Sequence, residues 1–359
     1  MTEKLTDLKE NSYKKYSDWH DLLSDSICTA EDLAKHLQVD KNEIEKVTEL
    51  YPMRINHYYL SLIKHKEKHI LKQAVPDSRE IEDISGSDDP LCEEPQSPVP
   101  NLIHRYPDRV LFMVSNQCAM YCRFCMRKRK VGHPFTVTES TITSGTDYIR
   151  GNKTIREVVI SGGDPLLLED YAIEHILKDL RSIKHVEILR LHTRVPCTLP
   201  QRITKNLADI LRQYNPLFIN THFNHPDEIT DEAAFACAVL ADAGIPLGSQ
   251  TVLLKGVNDN PSVMLTLMKK LLTIRVRPYY IHHPDVVRGT SHFRVTIKEG
   301  LNIMKSLHGH ASGLCVPQYM IDLPGGGGKI PLLPEYVRSV SDGNIMVENY
   351  RGEKFVYPE

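Results

Sequence analysis

Between Val110 and Ile281 the chain repeats one pattern, a short β-rich run followed by a stretch of helical periodicity. The strand candidates are Val110–Val114, Glu157–Ser161, Val186–His192, Leu217–Asn220, Leu247–Leu254 and Val276–Ile281. Helices are predicted between them, for instance over Asp231–Ala243 and Val263–Leu272. Such alternation implies parallel strands joined by crossovers. Six units predict an α/β fold, either a partial (β/α)6 barrel or an open doubly wound sheet, and periodicity alone does not separate the two. Both put chemistry at the carboxyl ends of the strands. The candidate motifs fall there: three cysteines after the first strand, Gly162-Gly163-Asp164 after the second and His222–His225 after the fourth.

The flanks read differently. The first 75 residues are helical in pattern, with Thr29 as an N-cap, Asp32 three residues on, and Leu33 and Leu37 at helical spacing. Acidic residues dominate from Asp77 to Glu94, and Pro95, Pro98 and Pro100 follow. That composition predicts a linker or wrapping loop whose acidic side is a solvated face. The expected division is 1–100 for the helical region and linker, 101–310 for the barrel and 311–359 for a carboxyl-terminal segment.

A chain of 359 residues with a net charge of −2 gives no reason to expect nucleic acid or an anionic membrane as partner. No run approaches the roughly 18 apolar residues of a membrane span, and no apolar amino-terminal stretch suggests export. Eight cysteines in such a chain read as reduced thiols, which predicts a cytoplasmic protein.

Three of those cysteines, Cys118, Cys122 and Cys125, stand at CxxxCxxC spacing. Three thiolates can hold three irons of a cubane and leave the fourth open to a ligand. Zinc favours paired CxxC spacings with four ligands, and no second pair is present. A second motif, Pro-Gly-Gly-Gly-Gly-Lys (324–329), ends on Lys329. Four glycines let backbone pass close to a ligand and point N–H groups at a phosphate. The lysine could form a Schiff base. A phosphate-binding P-loop is excluded, because Ile330 stands where Ser or Thr is required.

Taken together, these features resemble the lysine 2,3-aminomutase family of radical S-adenosylmethionine enzymes. The resemblance runs through His-Arg-Tyr-Pro-Asp-Arg (104–109), the cysteine motif, Ser-Gly-Gly-Asp (161–164) and Asn-Thr-His-Phe-Asn-His-Pro (220–226). It continues through Arg-Val-Arg-Pro-Tyr-Tyr-Ile (275–281) and Gly-His-Ala-Ser-Gly (309–313) to the glycine loop. It implies a 4Fe–4S cluster on the three cysteines, S-adenosylmethionine on the open iron, and pyridoxal phosphate on Lys329. It further implies contacts to S-adenosylmethionine from Gly162, Gly163, Asp164, Asn224, His225 and Gln250, and to pyridoxal phosphate from Arg105 and Arg109. Arg127 would bind the substrate carboxylate, and Asp285 and Asp322 would grip the ε-ammonium of lysine. The implied reaction is conversion of L-lysine to L-β-lysine by amino migration, started by a 5′-deoxyadenosyl radical. A small protein reductant such as flavodoxin or ferredoxin and a homo-oligomer are implied as partners.

The match also has gaps. The clostridial-type zinc site is not expected, since no cysteine follows Cys315 and Asn260 stands where the partner cysteine would be. The wording of His283–Arg288 departs from the usual lysine enzymes and leaves arginine open as substrate. Glutamate as substrate, supply of lysine for elongation factor P, and a non-catalytic iron–sulfur protein are the other readings.

Overall fold

The computed structural model describes residues 13, 16, 18–65, 68–133, 137–341 and 344–358. Twelve strands are numbered here in chain order. Nine form one sheet whose spatial order is the order of the sequence: β1 (Leu102–Tyr106), β2 (Arg109–Ser115), β3 (Glu157–Gly162), β4 (Ile188–His192), β5 (Leu217–Thr221), β6 (Leu247–Val252), β7 (Arg277–His282), β8 (Gln318–Leu323) and β9 (Gly328–Pro331). Strands β2 to β8 are parallel to their neighbours, and β1 and β9 are antiparallel edges. A doubly wound sheet would reverse its order at a switch point. This one never reverses, so the partial barrel is the architecture. All six predicted strands are present as β2–β7, with β8 added as a seventh parallel strand.

The predicted helices form at Asp231–Asp242 and Pro261–Thr273. Asn260 caps the second, its side chain accepting from the Ser262 amide at 2.9 Å. In the amino-terminal region Thr29 caps the helix Ala30–Ala34 by accepting from the Asp32 amide, as its sequence predicts. Trp19, Leu22, Leu33, Tyr58 and Tyr59 are buried in the same apolar cluster as Leu189, Leu217 and Phe223 of the barrel. The helices therefore close one side of the barrel and share its core. A separate antiparallel sheet, β10 (Val337–Ser341), β11 (Asn344–Glu348) and β12 (Lys354–Pro358), ends the described chain.

The acidic segment corrects the sequence expectation. It does wrap, but two of its carboxylates, Glu80 and Glu93, are buried against cations, and others are bonded. Glu80 is fully buried and accepts from Arg123 Nη2 at 2.7 Å and Lys128 Nζ at 2.5 Å. Glu93 accepts from Arg127 Nη2 at 2.6 Å, and Glu94 from Lys130 Nζ at 2.6 Å. Asp83 accepts from the amides of Thr290 and Ser291. The physical reason is Arg123, within the cysteine motif, and the basic run Arg127 to Lys130 just after it, which pair with the segment and neutralise it.

Candidate active site

A cavity of about 1040 Å³ runs through the barrel, from Arg190 and Leu247 inside to the loops at the carboxyl ends of the strands. That exceeds what one drug-sized ligand fills. Of the site residues predicted from sequence, Cys118, Cys122, Cys125, Arg105, Arg109, Arg127, Gly162, Gly163, Asp164, Gln250, Asp285, Asp322 and Lys329 line it.

Lys329 is delivered by a hairpin. β8 and β9 pair in a register that sets Asp322 opposite Lys329, and the glycines make the turn between them. Gly325, Gly326 and Gly328 have φ of 67°, 83° and 87°, a region only glycine enters freely. A Cβ on Gly326 would also lie 2.2 Å from the Gln96 side chain. The Lys329 amide donates to the Tyr106 hydroxyl at 2.9 Å. Its Nζ stands 2.5 Å from Asp322 Oδ2, while Asp322 Oδ1 is buried with no hydrogen-bond partner. Arg105 Nη1 stands 3.7 Å from that orphan oxygen, which leaves room for a further donor. An amine on a glycine turn, beside an unsatisfied carboxylate oxygen, fits both pyridoxal phosphate and an ammonium substrate.

The cysteines lie on the loop after β2. Arg194 Nη1 donates to Cys122 Sγ at 2.8 Å, and the Arg127 amide to Cys125 Sγ at 3.3 Å. Burial pushes the Cys125 thiol up to about 11 and that of Cys118 well above its ordinary value. Thiols so placed are held as thiolates only by a cationic partner, which iron supplies. One zinc ion would draw its sulfurs to about 3.8 Å from each other. Among the described residues, the one set of three potential ligand groups within 4.8 Å of each other is His69, His225 and Asp227. Cys118, Cys122 and Cys125 do not form such a set, although all three line one cavity.

Asp285 is half-buried in the cavity wall, and its desolvation there, with Asp322 nearby, pushes its carboxyl up to about 7. Arg127 is mostly shielded from solvent; Glu93 offsets the cost and holds the guanidinium pKa above its usual value. Arg109 pairs with Asp108 at 2.8 Å and lies 3.8 Å over the Tyr106 ring.

The glycines after β3 have a second use. A Cβ on Gly162, where φ is 132°, would fall 2.2 Å from the Ser115 carbonyl oxygen, and one on Gly163 would fall 2.4 Å from that of Gln117. They let the cysteine loop close on β3, besides lining the cavity. Asp164 spends its oxygens inside the protein, accepting from Thr193 Oγ1 at 2.7 Å and from the amides of Arg194 and Leu166. Burial raises its carboxyl to about 6. Asn224 and His225 are absent from the cavity wall. The Asn224 side chain bonds Gln73, Val252 and His222, and His225 stacks on His69 at 3.6 Å. They shape the loop behind the wall, while Gln250 stands on it.

His222, which opens the motif after the fourth predicted strand, lines the cavity, and so do His192, Arg194, Tyr280 and His282, to which the sequence reading gave no role. Burial holds His192 and His222 well below the ordinary histidine range, and His282 at about 3, so all three are neutral donors or acceptors. Their position at strand ends, where side chains turn inward, was the available signal.

Residues 112–267 match the family model described as the radical SAM superfamily. Barrel, cysteine loop and cavity together define a radical S-adenosylmethionine enzyme. Residues 304–359, which carry the glycine loop, match the model described as lysine-2,3-aminomutase. The L-lysine 2,3-aminomutase of Methanococcus maripaludis is 47% identical over 371 residues, covering 97% of this chain and 86% of that one. The enzyme of the same name from Clostridium subterminale is 45% identical, covering 98% and 86%. The glutamate 2,3-aminomutase of Clostridioides difficile is 43% identical, covering 96% and 81%. This chain belongs to the lysine 2,3-aminomutase family, and with it goes dependence on a 4Fe–4S cluster, S-adenosylmethionine and pyridoxal phosphate. No helix among the described residues is long and apolar enough to cross a membrane.

Proposed function

We propose that the chain converts L-lysine to L-β-lysine. The observation that carries this reading is the pairing of two cavity carboxylates, Asp285 and Asp322, with one cavity arginine, Arg127. A buried ammonium needs negative partners, and a buried carboxylate needs a fork of donors. L-Lysine has one carboxylate and, besides its α-amine, one ammonium at its far end. Glutamate would bring a second carboxylate against Asp285 and Asp322, which disfavours it although the glutamate relative is almost as similar in sequence.

When bound, the cluster with S-adenosylmethionine supplies a hydrogen-abstracting radical, and pyridoxal phosphate supplies the carbon through which nitrogen migrates. Cys118, Cys122 and Cys125 would hold the cluster, with Arg194 donating to one ligand sulfur. Lys329 would hold pyridoxal phosphate, and Arg105 and Arg109 would meet its phosphate. Gly162, Gly163 and Gln250 would face S-adenosylmethionine, with Asp164, Asn224 and His225 shaping that wall. Arg127 would fix the substrate carboxylate, and Asp285 and Asp322 its far end, so that only the reacting carbons face the radical source. The acidic segment, a strap whose Leu91 and Glu93 line the cavity, would shield them on that side. A flavodoxin or ferredoxin as electron donor, a homo-oligomeric state and the cytoplasm complete the reading.

The test is anaerobic turnover with reconstituted cluster, dithionite and both organic cofactors, offering L-lysine, L-arginine and L-glutamate in parallel. β-Lysine as the main product supports the proposal. Turnover of arginine or glutamate alone overturns the assignment of the aspartates and keeps the chemistry.

A further inference from the structure

We propose that Glu93, on the acidic strap, is the positioning residue for Arg127, fixing which edge of the guanidinium meets the substrate carboxylate. The inference rests on the carboxylate role given to Arg127 above.

Glu93 takes one edge of the fork. Its Oε1 accepts from Arg127 Nη2 at 2.6 Å and Nε at 3.1 Å, and its Oε2 accepts from Nε at 3.1 Å. Nη1 has no protein acceptor among the described residues and is not enclosed by protein, while Arg127 lines the cavity. Two-point bonding on the Nε side stops rotation about the last side-chain torsions and turns the Nη1 end outward to a ligand. An arginine held this way loses little freedom when a carboxylate docks, so binding is favoured and its direction is set.

Glu93 can do this because it is itself immobilised. Its side chain is 3% exposed. Its amide donates to Asp89 Oδ1 at 3.0 Å, and its carbonyl accepts from Ser97 Oγ at 2.8 Å. Asp89 and Glu93 also share Arg129, at 3.1 and 3.5 Å. The same strap holds Arg105, through Leu91 O at 2.8 Å and Gln96 Oε1 at 2.7 Å. A substrate carboxylate could not displace Glu93 without stranding a buried charge, so Glu93 stays and the substrate takes the remaining edge.

The experiment uses the holoenzyme, with L-lysine as substrate and 1,5-diaminopentane, which is lysine without its carboxylate, as competitive inhibitor. Arg127→Gln is expected to raise KM for lysine while leaving Ki of the diamine within about twofold. Glu93→Gln is expected to do the same more weakly, raising KM about tenfold with most of the loss in KM rather than kcat. Glu93→Asp, which keeps the charge, is expected to recover part of it. Iron, sulfide and pyridoxal contents report folding; if Glu93→Gln does not load, Glu93→Asp decides, with a severalfold rise in KM and an unchanged Ki expected. An unchanged KM in the Glu93 variants, or KM and Ki rising together, overturns the proposal. An unchanged KM in Arg127→Gln overturns the carboxylate reading of Arg127, and the role of Glu93 falls with it.

Discussion

Asp322 and Lys329 face each other as register partners across the β8–β9 hairpin, with Nζ 2.5 Å from Oδ2. Because both stand on one hairpin, the carboxylate would hold the lysine amine until the cofactor took it, and would then be free to meet another ammonium. One acid would serve two amines in succession.

Lys329→Ala is expected to lower turnover on the order of 10³-fold or more and to abolish the visible absorbance of lysine-bound pyridoxal. Iron content should remain that of the parent. Retained absorbance at the same position would move the cofactor anchor to another lysine.

Asp322→Asn keeps the shape and removes the charge. Losing one partner of a buried ion pair costs about 3–5 kcal/mol, which predicts a rise in KM for lysine of about 10²–10⁴-fold. Steady-state kinetics with lysine and with norleucine, which lacks the ammonium, should show the penalty for lysine alone.

The carboxyl of Asp285 is raised to about 7 by burial and then by Asp322. It is therefore neutral below about 7 and negative above, whereas the ε-ammonium stays charged throughout. Lysine binding should strengthen as pH rises through about 7, and kcat/KM should carry an acid limb falling up to tenfold per unit. In Asp285→Asn that limb should vanish. A limb that persists unchanged assigns it to another group.

Gly162→Ala places a methyl 2.2 Å from a carbonyl oxygen at a φ of 132°, and should cost about 2–4 kcal/mol and most of the bound iron. Gly151, with nothing within 4 Å of an added Cβ, should accept alanine within about 1 kcal/mol. Thermal unfolding of the two variants side by side checks both.

Chemistry carried by local sequence was legible before the fold was seen. The cysteine spacing, the glycine turn ending on Lys329 and the β2–β7 alternation all express short-range rules. What escaped depends on distant segments meeting. β8 and β9 carry too little periodicity to declare a strand pair, and only their register reveals that Asp322 answers Lys329. His192, Arg194 and His282 look ordinary until a barrel turns them inward. The charge of Glu80 and Glu93 argued for solvent, as it does for most carboxylates. The basic run Arg127-Lys128-Arg129-Lys130 was the missing half of that pattern, since two opposite runs of charge in one chain can bury each other.

Sealed and open carboxylates alternate along the strap. Glu94, at its outer end, is 59% exposed, while Glu93 and Glu80 are sealed at 3% and 0%. Dissolved ions screen exposed pairs and hardly reach sealed ones. Rising ionic strength will therefore slacken the pairs of Glu94 with Arg129 and Lys130, while the arginine held by Glu93 keeps its bearing.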